Sequence, residues 1–80
     1  MKKTTIEHKK LGRNKALGLA FKDENLIHLD ERLKGKEYLL VAIHELLHIY
    51  KKEYTEEEVE KFSQYLADNL WKLKFRKTEI

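Results

Sequence analysis

Cysteine and proline are both absent from this 80-residue chain, and glycine occurs only three times. Without cysteine there is no disulfide framework, no zinc ribbon and no thiol chemistry. No apolar run is long enough to span a membrane. The basic start Met1-Lys2-Lys3 is followed by no apolar run, so it does not read as a secretory signal, and the cytoplasm is the expected location. Linkers, repeats and low-complexity tracts are also missing, which points to one domain over residues 1–80. A domain this small buries a modest share of its surface, so a bound metal would add usefully to its stability. Charge is mixed, with a net +3 and 39% charged residues. That surface is soluble, and it permits nucleic-acid contact without pointing to it.

What the chain does have is His44-Glu45-Leu46-Leu47-His48, an H-E-x-x-H pattern. On a helix, residues four apart lie one above the other, so both imidazoles can reach one ion. Glu45 is turned about 100° from His44, beside the ion, where a carboxylate can take a proton from metal-bound water and pass it to a leaving amine. The flanks from Tyr38 to Ile43 and from Ile49 to Tyr50 are apolar on every side, the mark of a buried helix. Two buried imidazoles and a carboxylate are costly unless something satisfies them, and a metal satisfies all three.

The elements around the motif read as follows. Residues 4–11 favour an extended strand with a polar end, suited to a sheet edge; His8 there reads as a solvated residue away from any metal. Residues 12–15 read as a loop. Residues 16–21 alternate with a period of two, Leu17, Leu19 and Phe21 on one face and Ala16, Gly18 and Ala20 on the other. The small second face implies close approach, either by a packed helix or by a substrate strand. A turn over 22–25 leads to a returning strand, 26–30, with Ile27 and Leu29 facing the core and His28 facing away. Asp30 is expected to cap a helical turn over 31–34 that Gly35 ends. The motif helix is expected over about 36–51. Thr55 and Glu58 have the form of a capping box opening a last helix to about residue 75, with Val59, Phe62, Ser63, Leu66, Leu70 and Leu73 as its apolar stripe. The basic tail over 72–77 reads as a solvated end. The fold class expected is α+β: a small antiparallel sheet built on a hairpin, followed by two helices.

Catalytic zinc usually takes three protein ligands, and no histidine follows His48, so the third should be a carboxylate of the last helix. Relative to the centre of the apolar stripe, Glu56 lies roughly 50–60° away, Glu60 roughly 90°, Glu58 roughly 110° and Glu57 nearly opposite. Glu56 is therefore best placed, with Glu60 and Glu58 as the alternatives. Glu60, one turn beyond Glu56, could hydrogen-bond a ligand from behind.

H-E-x-x-H with a glutamate on the next helix resembles the gluzincin branch of zinc metallopeptidases. A hairpin sheet, the motif helix and a short glutamate helix resemble the stripped-down minigluzincins, and the run Ile27-His28-Leu29-Asp30, Gly35, Ile43 to His48, Thr55 to Val59 and Leu70-Trp71 is similar to small phage- and prophage-encoded zincin-like proteins. Val59-Glu60-Lys61-Phe62-Ser63 is similar to the glutamate helix of ImmA/IrrE-type peptidases. The resemblance covers about residues 16–75. It implies a minimal zincin-like core, zinc held by His44, His48 and Glu56, Glu45 as general base, and Glu60 as support for a ligand. The implied function is zinc-dependent hydrolysis of peptide bonds, with a peptide or protein as substrate. The connection after His48 is short, and the domain that forms the far wall of the cleft in larger relatives is missing. The alternative is a weak or inactive zincin-like binding module, phage-associated and binding DNA or a partner protein.

Overall fold

The computed structural model describes residues 3–11 and 16–75. The loop expected at 12–15 and the tail beyond 75 lie outside the described residues. The architecture is α+β: strands β1 (Thr5–Lys9), β2 (Gly18–Phe21) and β3 (Leu26–Asp30), then helices α1 (Gly35–Tyr50) and α2 (Glu56–Lys72). β2 and β3 form the expected antiparallel hairpin, pairing Gly18 with Leu29 and Phe21 with Leu26. Its turn is a short 3-10 segment, Lys22–Glu24, closed by Asn25 in the left-handed conformation at φ 52°. β1 joins the other side of β3 in parallel, so the sheet order is β1-β3-β2 and the sheet is mixed.

The helices cover one face of this sheet. α1 packs on β2 and β3, and α2 packs on α1. Ile27, Leu29, Leu33 and Ile49 form the core, with Ala20, Val41, Ala42 and Leu46 packed against it. The period-two strand therefore turns its small side chains toward α1, while Leu17 and Leu19 remain 42% and 40% exposed. Of the two readings of that small face, the packed helix is the one observed.

Two local expectations are corrected. Residues 31–34 form a hydrogen-bonded turn and not a helical one, the Leu33 N–H donating to the Asp30 carbonyl. Asp30 does cap that turn, its Oδ1 accepting from the Arg32 backbone N–H and Nε, while its Oδ2 accepts from Arg32 Nη2 and the Leu11 N–H. Gly35 opens α1 instead of ending a preceding turn, at φ +59°, which it reaches without the clash a Cβ would bring.

The apolar stripe of α2 is also rotated from expectation. Val59, Ser63 and Ala67 are the buried residues, whereas Phe62, Leu66 and Leu73 are 46%, 37% and 68% exposed. Spacing between packed helices depends on the side chains at the contact, and Ser63 and Ala67 allow a close one. The larger side chains roll outward, where Phe62 stacks on Tyr54 at 5.5 Å. The rotation matters for the glutamates. Measured from the observed stripe, Glu56 lies only roughly 20° from its centre and Glu60 roughly 60°.

Candidate metal centre

α1 contributes the two imidazoles. His44 and His48 stand one turn apart on the side facing α2, and their rings meet edge to face at 4.9 Å. Their side chains are 16% and 13% exposed. α2 contributes the carboxylate. Residues 51–55 turn the chain tightly, with the Tyr54 N–H donating to the Lys51 carbonyl, and Glu56 is the first residue of α2.

The capping box fixes that first turn. Thr55 Oγ1 accepts from the Glu58 N–H at 3.1 Å, and Glu58 Oε1 accepts from the Thr55 N–H at 2.9 Å. Glu58 is thereby committed to the cap, and Glu57 pairs outward with Lys61 at 3.5 Å. Glu56 is left facing the histidines.

The donor atoms converge. Glu56 Oε1 lies 2.6 Å from His44 Nε2, Glu56 Oε2 lies 3.1 Å from His48 Nε2, and the two Nε2 atoms are 3.2 Å apart. His44, His48 and Glu56 thus form a group that could hold a metal ion, one ligand atom from each lying within 4.8 Å of the others. Zn–N and Zn–O distances near 2.0–2.1 Å in a tetrahedron put donors about 3.3 Å apart. Two of the three separations already match, and the third would open slightly. Nitrogen and oxygen donors from two histidines and a glutamate are also the right chemistry for such an ion.

Glu60 lies one turn along α2 from Glu56. Its Oε2 is 3.3 Å from His44 Nδ1, on the far side of the ring from the ligand nitrogen. A carboxylate there orients the ring and raises its basicity. Burial works against the charge of Glu56, but hydrogen bonds and charges from His44 and His48 outweigh it and hold the carboxyl below its ordinary value.

Glu45 points to the other side, toward β2. A Cβ built on Gly18 would come within 2.8 Å of Glu45 Cγ and 3.0 Å of its Oε2, and within 2.8 Å of Val41 Cγ1. The absence of a side chain at position 18 is what lets α1 and Glu45 approach the strand. Desolvation raises the Glu45 pKa, more than the nearby His44 and His48 lower it. The sequence signalled close approach at Gly18; what approaches is Glu45 itself. His8 and His28 stand apart from the group, as expected: His8 Nε2 contacts the Tyr38 hydroxyl at 2.7 Å and His28 Nε2 contacts Glu7 at 3.2 Å. Among the described residues no helix is long and apolar enough to cross a membrane. Comparison of the chain with protein-family models, with curated proteins and with solved structures gives no match.

Proposed function

We propose that this chain is a zinc-dependent peptidase, with His44, His48 and Glu56 as the ligands and Glu45 as the general base. The observation that carries the reading is the position of Glu45: a desolvated carboxylate beside the three-ligand group and against an edge strand. A zinc ion in that group would acidify water to a pKa of about 7 and polarise a carbonyl. Glu45 would accept the proton from the attacking water and deliver it to the leaving amine, a task helped by a carboxyl whose affinity for protons has been raised. Glu60 would hold the His44 ring in its liganding orientation.

β2 offers a place for the polypeptide. It is an edge of the sheet. The Asp30 N–H donates to the Leu17 carbonyl, so by antiparallel alternation Leu17, Leu19 and Phe21 bond inward to β3. The backbone groups of Gly18 and Ala20 then face outward, free to pair with an added strand. Gly18 is also the residue of β2 that lies against Glu45.

A second reading keeps the metal and drops the chemistry. Glu56 and Glu60 are 73% and 62% exposed, so the centre is open on the α2 side. An open site suits a zincin-like binding module that acts only with a partner, or not at all.

The test uses a mixture of unstructured polypeptides, offered to zinc-loaded wild type and to Glu45→Gln. Wild type should cleave, and Glu45→Gln should retain zinc yet lose about 10²–10⁴-fold in rate, the scale of general-base catalysis. His44→Ala and His48→Ala should abolish zinc binding, and Glu56→Gln should weaken it. Zinc-loaded wild type that cuts nothing would leave the binding-module reading in its place.

A further inference from the structure

A broad groove lies outside the metal centre. It has a volume of about 540 Å³, and its walls come from the C-terminal half of α1, from the end of the β2–β3 hairpin and from Thr4, just before β1. Leu46 and Ile49 give it an apolar floor, Tyr50 stands at its side, and Lys22 and Lys52 line it as well. Lys22 Nζ reaches across to the Lys52 carbonyl at 3.4 Å. Neither lysine ammonium has a carboxylate partner among the described residues. Asp23 is the one acidic side chain in the lining. The groove therefore combines an apolar floor with two available cations, and complementarity calls for an acidic group beside an apolar one.

Its position says where that group would come from. Lys22 directly follows Phe21, the last residue of β2, whereas Glu45 sits against Gly18 at the first. Leu46 and Ile49 are the residues that follow Glu45 and His48 on α1. A strand added along β2 at about 3.3 Å per residue covers the distance from Gly18 to Lys22 in roughly four residues.

We infer that this groove is a second recognition site for the polypeptide that lies on β2, and that it takes an acidic residue next to an apolar one about four residues from the bond over the metal centre. The acidic side chain meets Lys22 and Lys52, and the apolar one settles on Leu46 and Ile49. In the antiparallel orientation the pair lies on the N-terminal side of that bond, because β2 runs toward the groove. The inference rests on the peptidase reading only for the line the polypeptide takes, and the groove can be tested by binding alone.

The experiment is a nuclear magnetic resonance titration of ¹⁵N-labelled Glu45→Gln protein, repeated on metal-free wild type. Two capped decapeptides are compared, identical except for Glu-Leu or Lys-Leu near the N-terminus. The Glu-Leu peptide should shift the amides of β2 together with those of Lys22, Tyr50 and Lys52. It should bind about three- to fivefold more tightly than the Lys-Leu peptide, the scale of exposed ion pairs. The double variant Lys22→Glu with Lys52→Glu should reverse that preference. Shifts that miss the groove, equal affinity for the two peptides, or a preference that survives the charge reversal would overturn the inference. If the Glu-Leu peptide binds as expected but zinc-loaded wild type leaves it uncut, the groove stands and the peptidase reading fails.

Discussion

Asp30 and Glu45 are both carboxylates withdrawn from water, and the chain surrounds them in opposite ways. Asp30, at the end of β3, is 1% exposed and accepts from the Arg32 guanidinium and from two backbone N–H groups. The Arg32 side-chain and backbone hydrogen bonds hold its carboxyl far below the ordinary carboxylate range. Glu45, on α1, faces a bare glycine, and no hydrogen bond or ion pair reaches its carboxylate among the described residues. Burial pushes its pKa up. A buried charge with every lone pair engaged ties elements together, here β3 to the chain near Leu11. A buried carboxylate left without such partners is costly to the fold, and such groups gather at sites where protons move.

The largest effect that sharpens this contrast is expected at Asp30. Asp30→Asn strands Arg32 and should give the greatest loss of melting temperature of any polar substitution in the chain, read by thermal unfolding of metal-free protein. The pH dependence fixes the sign. The folded pKa lies below the ordinary 3.8, so the Asp30 contribution is present above that value and lost as pH falls through the folded one. The gap between wild type and Asp30→Asn should therefore be widest at neutral pH and close in strong acid.

Next in size is Gly18→Ala. The added methyl meets Glu45 and Val41 well inside contact distance, so overpacking should cost about 1–3 kcal/mol. It should also displace Glu45 and reduce hydrolysis while zinc affinity stays, because the ligands sit on α1 and α2. Equal loss of zinc and activity would mean that position 18 supports the whole α1–sheet contact and not Glu45 in particular.

The smallest effect, and one of opposite sign, belongs to Glu45→Gln. The folded pKa of Glu45 is raised above 4.5. Its favourable contribution is thus present below the unfolded value and lost as pH rises through the folded one. Metal-free Glu45→Gln should match wild type in acid and melt a few degrees higher at neutral pH. A lower melting temperature for this variant would show that the carboxylate stabilises the fold, and the contrast with Asp30 would collapse.

Much of this was legible in the sequence, for identifiable reasons. The H-E-x-x-H spacing, the Thr55–Glu58 capping box and the alternation of residues 16–21 are local patterns, and each element lies within a few residues of its expected place. The parallel addition of β1 was not legible, because it depends on a pairing between Ile6 and Ile27 far along the chain. The rotation of α2 was missed because apolar size was taken as the guide to burial. At a close helix contact the small residues Ser63 and Ala67 go inside and Phe62 and Leu66 go out. The capping bond of Asp30 to the Arg32 N–H follows from an aspartate before a short turn, but its pairing with the Arg32 guanidinium and with the Leu11 N–H was not legible, because these depend on a side-chain direction and on a distant part of the chain. Glu56 was reached with an imperfect stripe. The observed rotation brings it closer to the histidines than the expected one did.

The most direct measurement is a crystal structure of the zinc-loaded wild-type chain. The expected result is about one zinc per chain, held by Nε2 of His44 and His48 and by the Glu56 carboxylate at about 2.0–2.1 Å, with one coordination position left free of protein and Glu45 beside it. A shell closed by a fourth side chain, a shell that omits Glu56, or zinc bound elsewhere would contradict the site proposed for this chain.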